Sequence, residues 1–257
     1  MYKFLICALA GIGAGIATGF AGLSAAVFIS PMLVTFLDVP TYDAIGIALA
    51  SDVLACIMSA LYFRKKGNID VKNGKSLISS VLIFSVVGSV VSYFVTLSEF
   101  GNSAMGNWTI IAAFLLGIKF IFWPIRESRL ATQSKKKYKA LAALCGMGIG
   151  FVCGFQGTGG GMAMLFALTI VMGYEFKKAV GTSIFIMAFT AFIGAAAHFA
   201  IGGVPDKMIL LVCSLFTLAS AQIASRVANK ISVVSLNRAT GVLLTISGVI
   251  MFITNIK

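Results

Sequence analysis

Charge is what this sequence most lacks. Only 11% of its 257 residues are Asp, Glu, Lys or Arg, where a soluble domain carries about 25%. So few charges cannot cover the surface of a water-soluble protein of this size, which excludes an aqueous globular fold. Histidine is nearly missing: His198 stands alone. The Asp, Glu and Cys residues form no cluster at metal-ligand spacing. The cysteines Cys7, Cys56, Cys145, Cys153 and Cys213 all lie inside apolar runs with no CxxC pair, as small packing residues do. There is no Ser-His-Asp set. The run Gly157-Thr158-Gly159-Gly160-Gly161 lacks the Lys-Ser/Thr that completes a phosphate loop. The sequence therefore assigns no catalytic residue, no metal and no cofactor, and it argues against an enzyme.

What is abundant is apolar length. Uncharged runs cover 4–37, 76–98, 100–118, 140–174, 208–225 and 239–256, and 44–63 and 179–205 are nearly as clean. Each approaches or exceeds the length that crosses a hydrocarbon core about 30 Å thick. The lipid bilayer is thus the principal partner, and the fold class is an all-α polytopic membrane protein. The net charge of +12 sits on short loops between these runs, which fits positive-inside loops and not a nucleic-acid surface. Lys3 ahead of an apolar stretch has the look of a signal peptide, but that stretch has a copy in mid-chain.

The copy is a duplication. At a constant offset of 135, Gly11, Gly13, Gly15, Gly19, Phe20 and Gly22 meet Gly146, Gly148, Gly150, Gly154, Phe155 and Gly157. Further on, Ala44-Ile45-Gly46 meets Ala179-Val180-Gly181, and Gly67 and Lys72 meet Gly202 and Lys207. Two glycine-interrupted apolar repeats are the mark of a repeat-built transporter. Each repeat reads as a long segment A followed by spans B, C and D: about 4–37, 44–63, 76–97 and 105–125, then about 140–173, 179–201, 208–226 and 238–256. This gives a first transmembrane repeat at 1–125, a basic cytoplasmic connector at 126–139 and a second repeat at 140–257.

Loop charge sets the sides. Arg64, Lys65, Lys66, Lys72 and Lys75 place the first B–C loop in the cytoplasm, as do Arg126, Arg129, Lys135, Lys136, Lys137 and Lys139 for the connector. The first C–D loop has Glu99 and no base, so it is external. In the second repeat the basic loops are A–B, with Lys177 and Lys178, and C–D, with Arg226, Lys230 and Arg238. These sides agree if the repeats are inverted and each segment A starts and ends on one face. At 1.5 Å per residue, the 34 residues of the first A segment would form a helix of about 51 Å. Folding at its glycines turns it into two short arms, re-entrant or hairpin. Eight conventional spans, with segment A crossing once, remain the alternative.

Gly11, Gly15, Gly19 and Gly146, Gly150, Gly154 have the four-residue spacing of close helix packing. The cluster Gly157–Gly161 is too glycine-dense for a stable helix. Its counterpart, Gly22-Leu23-Ser24-Ala25-Ala26, is small but less broken. A helix restarting after each break would aim bare amides and partial positive charge at it. Two such ends facing each other from inverted repeats form a site for a small anion. The candidate substrate-binding residues are Gly22, Leu23, Ser24, Ala25, Gln156, Gly157, Thr158, Gly159, Gly160, Gly161, Thr182 and Ser183. The alternative is glycine packing with no ligand.

The order GxxxGxxxGFxGxGGG, then Ala-Val-Gly-Thr-Ser at 179–183, a further apolar span and Gly-Gly-Val-Pro-Asp at 202–206 resembles the sulfite exporter TauE/SafE family of membrane permeases. The likeness covers nearly the whole chain. It implies a multi-pass permease of the bacterial inner membrane for small organic or inorganic anions, often sulfur oxyanions or sulfonates. Departures from the pattern are Ser24-Ala25-Ala26 in place of glycines, Ile47-Ala48 opposite Thr182-Ser183, and Phe166 opposite Pro31. They suggest an asymmetric site drawn more from the second half.

Asp52 lies midway along span B, with Met187 as its repeat mate. A carboxylate there costs roughly 2.5–3.5 kcal/mol on insertion scales, so it should face the interior or a cavity. It is the candidate proton-coupling residue; the alternative is a neutral acid bonded to Ser51, Ser59 or nearby backbone. His198 reads as an interfacial hydrogen-bonding residue or a pH-sensitive gate, Lys119 as a snorkelling base, and Trp108 and Trp123 as interfacial anchors. The function that follows is secondary transport of a small anion, with a homo-oligomer left open. A non-transporting assembly subunit is the alternative; a channel and a membrane-embedded enzyme fit less well.

Overall fold

A computed structural model describes residues 2–95, 115, 117–123, 135–156 and 160–255. Among them the regular structure is entirely helical: α1 Tyr2–Ala21, α2 Ala26–Leu37, α3 Thr41–Lys65, α4 Val71–Val95, α5 Lys135–Gln156, α6 Gly161–Phe166, α7 Phe176–Gly202, α8 Lys207–Lys230 and α9 Val233–Asn255. Helix α6 runs on into a π-helical turn, Ala167–Val171. Residues 115 and 117–122 are also helical; 105–114 of the first span D, Trp108 included, lie outside the described residues.

The duplication is visible in the helix ends. Adding 135 to those of α1–α4 gives 137–156, 161–172, 176–200 and 206–230; the observed second set occupies 135–156, 161–171, 176–202 and 207–230. Helix α5 therefore begins inside the stretch read from sequence as connector. Helices α1, α3, α7 and α8 are each long and apolar enough to cross a membrane.

Segment A does not run straight. Helix α1 stops at Gly22, whose φ of +64° is a left-handed conformation that glycine adopts without penalty. Past the break the chain folds back: a Cβ on Gly13 would lie 3.3 Å from the Phe28 ring, although fifteen residues of straight helix would separate the two by about 22 Å. The second break turns at Gly160, φ +66°. Its missing Cβ is filled by the Cys153 side chain, and Ile149 lies 3.7 Å from the same point. Segment A is thus not one straight helix in either repeat. The arms are unequal, however. Helix α1 has 20 residues against 12 in α2, so only the return arm is short. The return arms differ from one repeat position on: α2 holds Pro31 inside a continuous α-helix, while the second arm passes into the π turn after Phe166, the repeat mate of Pro31. Proline removes one helical hydrogen bond, and a π turn spaces them more widely.

The halves are interlocked. Helix α1 packs on α8 and α5 packs on α4, so the opening helix of each repeat lies on the fourth helix, span C, of the other; α3 packs against α7 and α8. Absent side chains make this possible. A Cβ on Gly11 would sit 2.9 Å from the Cys213 carbonyl oxygen and one on Gly19 2.5 Å from that of Ala221, while Gly15 faces the Thr217 carbonyl. On the other side Gly146 stands 2.7 Å from the Leu77 carbonyl by the same measure, and Gly150 against that of Val81. Lipid tails are as apolar as leucine, so association comes from such close van der Waals contact. The outward faces agree. Helix α1 buries Ala10, Ala14, Ala17 and Thr18 and exposes Leu5, Leu9, Ile12 and Ile16, a pattern suited to a lipid solvent.

Candidate functional site at the junction of two helix breaks

The two breaks touch. A Cβ on Gly161 would fall on the Gly22 carbonyl oxygen and 3.0 Å from Leu23 Cα. Flanking them are the two B spans, whose contributions are repeat mates: Asp52, twelfth residue of the 25 in α3, and Met187, twelfth of the 27 in α7. The junction thus sits near mid-length of both helices. Met187 lies beside Gly161, and the Ser183 hydroxyl of α7 donates to the Gly22 carbonyl at 3.4 Å.

The first break is organised by Asp52, the one buried acid or base among the described residues. Its Oδ2 accepts the Ala25 amide at 2.7 Å and the Ser24 hydroxyl at 2.6 Å. Its Oδ1 lies 3.1 Å from the Thr18 hydroxyl, which is also 2.8 Å from the Leu23 carbonyl oxygen. Thr18 has one proton for two acceptors. Ser24 in turn accepts the Ala26 amide at 3.2 Å. The carboxylate therefore takes the place at the start of α2 that a capping side chain or bound anion takes at other helix starts.

Neither serine named from sequence contacts Asp52. Ser51 donates to the Ile47 carbonyl and meets Ser214, and Ser59 donates to the Ala221 carbonyl. Ser51 reaches the free carbonyl one turn back on its own helix, whereas Asp52 is met by donors from α1 and the break. Thr18 was missed. Its signal is modest, a hydroxyl four residues before Gly22 on a helix of small residues, with Cys153 as its repeat mate at the second break.

Of the twelve candidate residues, Gly22, Leu23, Ser24, Ala25, Gly160, Gly161 and Ser183 come together here. Thr182 is turned elsewhere: its hydroxyl accepts the Asp70 amide at 3.0 Å. Gly157, Thr158 and Gly159 lie outside the described residues, as does the Gln156 side chain.

Further contacts between the halves lie toward the two ends of α3 and α7. On one side Asn68 donates to Asn229 at 2.6 Å, Lys177 donates to the Asn229 carbonyl at 3.1 Å, and Gly181 lies against the Asn68 carbonyl. On the other, the Tyr42 ring lies 4.2 Å from that of His198, and its hydroxyl donates to the His198 carbonyl at 3.3 Å. Gly46, the repeat mate of Gly181, faces Phe199 there. His198 sits one turn before the end of α7, and its Nδ1 is buried without a partner among the described residues. No group of three or more His, Cys, Asp or Glu is placed to hold a metal among the described residues.

Comparison with known proteins places this architecture. Residues 7–251 match the family described as sulfite exporter TauE/SafE. The chain belongs to the TauE/SafE family. Two Bacillus subtilis (strain 168) proteins are similar to this TauE/SafE member along most of their length. One is the probable membrane transporter protein YdhB, 23% identical over 92% of this chain and 95% of its own. The other is the probable membrane transporter protein YunE, 27% identical over 79% of this chain and 80% of its own. Family membership and the apolar spans together make the chain a helical, multi-pass membrane protein.

Proposed function

We propose that this protein is a secondary transporter, a permease carrying a small anion, with sulfur oxyanions, organosulfonates or small carboxylates as its substrate class. The observation that carries the reading is the junction, where two glycine breaks, one from each repeat, abut at mid-length of α3 and α7. Broken backbone at membrane depth is tolerated where protein or a watery cavity satisfies it. A helix restarting there gives an anion amide donors and partial positive charge, without the cost of burying a lysine or arginine. The family description and the names of the two relatives favour transport over catalysis.

In this reading the repeats at 1–125 and 140–257 are inverted, with the basic connector 126–139 in the cytoplasm. They rock about the junction so that it opens to one side at a time. The Asn68–Asn229–Lys177 contacts close the cytoplasmic mouth, and Tyr42, His198 and Phe199 the external one. The membrane is the cell inner membrane.

Asp52 is the proton-coupling group. When it is ionised, Thr18 donates to Oδ1. When it is protonated, it donates to Thr18, and the Thr18 proton serves the Leu23 carbonyl. Taking up a proton thus rewires the backbone of the break itself.

The test is flux in proteoliposomes loaded with sulfite, sulfonates or small carboxylates, with and without a pH gradient. Saturable exchange that is lost in Gly160→Leu is the expected result. Absence of flux for every anion, from folded protein, would leave the non-transporting assembly subunit as the better account.

A further inference from the structure

Two breaks related by duplication would be expected to bind alike, but their flanking mates are a carboxylate and a thioether. We infer that Asp52 is a resident anion: the first break carries its own ligand, a carboxylate tethered to α3. This deepens the transporter reading and takes from it only that the junction recognises anions.

Three donors from two separate segments converge on the two oxygens of one side chain: Thr18 from α1, and Ser24 with the Ala25 amide from the break. Asp52 is fully buried. The groups facing it are hydroxyls and an amide, with Cys56 one turn along its own helix. No Lys, Arg or His side chain pairs with it among the described residues. An acid whose only task was to fill space would not be met by three convergent donors, since apolar residues do that at lower cost. Its repeat mate differs: Met187 has no formal charge and lies beside Gly161, so the second break receives no carboxylate from the equivalent position. The tethered carboxylate makes Asp52 a positioning residue that holds the first break in shape.

If the place is an anion site, removing the side chain should vacate it for a free anion of the same chemistry. The experiment compares Asp52→Ala with the unaltered protein, both purified in a bulky-anion buffer. Thermal unfolding is followed against formate, which replaces the missing carboxylate, and against formamide, its neutral counterpart. Asp52→Ala should melt below the parent and recover saturably with formate, by about 5 °C or more at a hundredfold excess over its dissociation constant. Formamide should not restore it. The parent shows only whatever formate does at the solute site, so the excess response belongs to the vacated place. A formate response in Asp52→Ala no larger than the parent's would overturn the inference. Should Asp52→Ala not fold, infrared difference spectra of the parent against Asp52→Asn decide the matter in alkaline, solute-free buffer. An ionised carboxylate stretch at Asp52 is expected, and a carboxylic-acid stretch refutes the proposal. Neither readout involves flux, so this inference and the transporter reading fail separately.

Discussion

Replacing Gly148 and Gly150 by alanine, one at a time, should move stability in opposite directions, although the two lie two residues apart on α5. Nothing lies within 4 Å of a Cβ on Gly148. The added methyl there restricts the unfolded chain and suits a helix, which favours the variant by about 0.5–1 kcal/mol. A Cβ on Gly150 would meet the Val81 carbonyl oxygen and approach Val81 Cα to 2.8 Å and its carbonyl carbon to 2.9 Å. These are backbone atoms of α4 and cannot swing aside, so the helices must separate along their contact. Overpacking of this kind costs about 1–3 kcal/mol, which outweighs the helix-propensity gain except at the bottom of that range. At about 2–4 °C per kcal/mol for a chain of this length, Gly148→Ala should melt a few degrees above the parent and Gly150→Ala several degrees below the Gly148 variant. Thermal unfolding of the purified proteins in one detergent, read by intrinsic fluorescence, is sufficient. Gly13 and Gly15 on α1 form the same kind of pair in a milder form, since Gly13 faces a ring and Gly15 faces backbone. If Gly148→Ala and Gly150→Ala shift melting equally, close α4–α5 contact is not what selects glycine.

Other outcomes follow from the same geometry. Asp52→Asn keeps an acceptor for the Ala25 amide but gains no proton, so flux should persist at reduced rate and lose its dependence on a pH gradient; full activity with intact coupling would remove Asp52 from the proton path. Asn229→Ala deletes the partner of Asn68 and should bias the protein toward the cytoplasm-open form, seen as faster thiol labelling of a Ser183→Cys reporter at the junction in a background with the native cysteines replaced; an unchanged labelling rate would show that this contact is not a closure. Tyr42→Phe loses one hydroxyl bond to the His198 carbonyl, worth about 0.5–1.5 kcal/mol, while Tyr42→Ala also loses the ring contact. Transport should therefore change little in the first and clearly in the second, measured as the rate of anion exchange.

Much of this fold was legible because a membrane helix must declare itself in apolar length, and because a duplication lets one half check the other. The break at Gly22 was readable from arithmetic: thirty-four residues do not fit one crossing. The inequality of the arms was not, because nothing in the small residues around Gly22 says how far α1 runs before turning. Lys135–Lys139 read as loop on charge alone, and they continue α5 because basic residues are good helix formers at an aqueous end. The partners of Asp52 were hidden for a different reason. Thr18 and Ser24 stand 34 and 28 residues away, and only the fold brings them to the middle of α3. Thr182 and Ser183 show how fine the limit is. They are sequence neighbours on α7, yet one faces the loop at Asp70 and the other the break at Gly22.

The most direct test of the junction is to locate a bound oxyanion. A crystal of the protein soaked with selenite, the heavier relative of sulfite, should show an anomalous peak at the edge of the contact between the Gly22–Leu23 and Gly160–Gly161 turns, displaced by excess sulfite. A peak confined to the lysine-rich loops, with none beside that contact, would contradict the account.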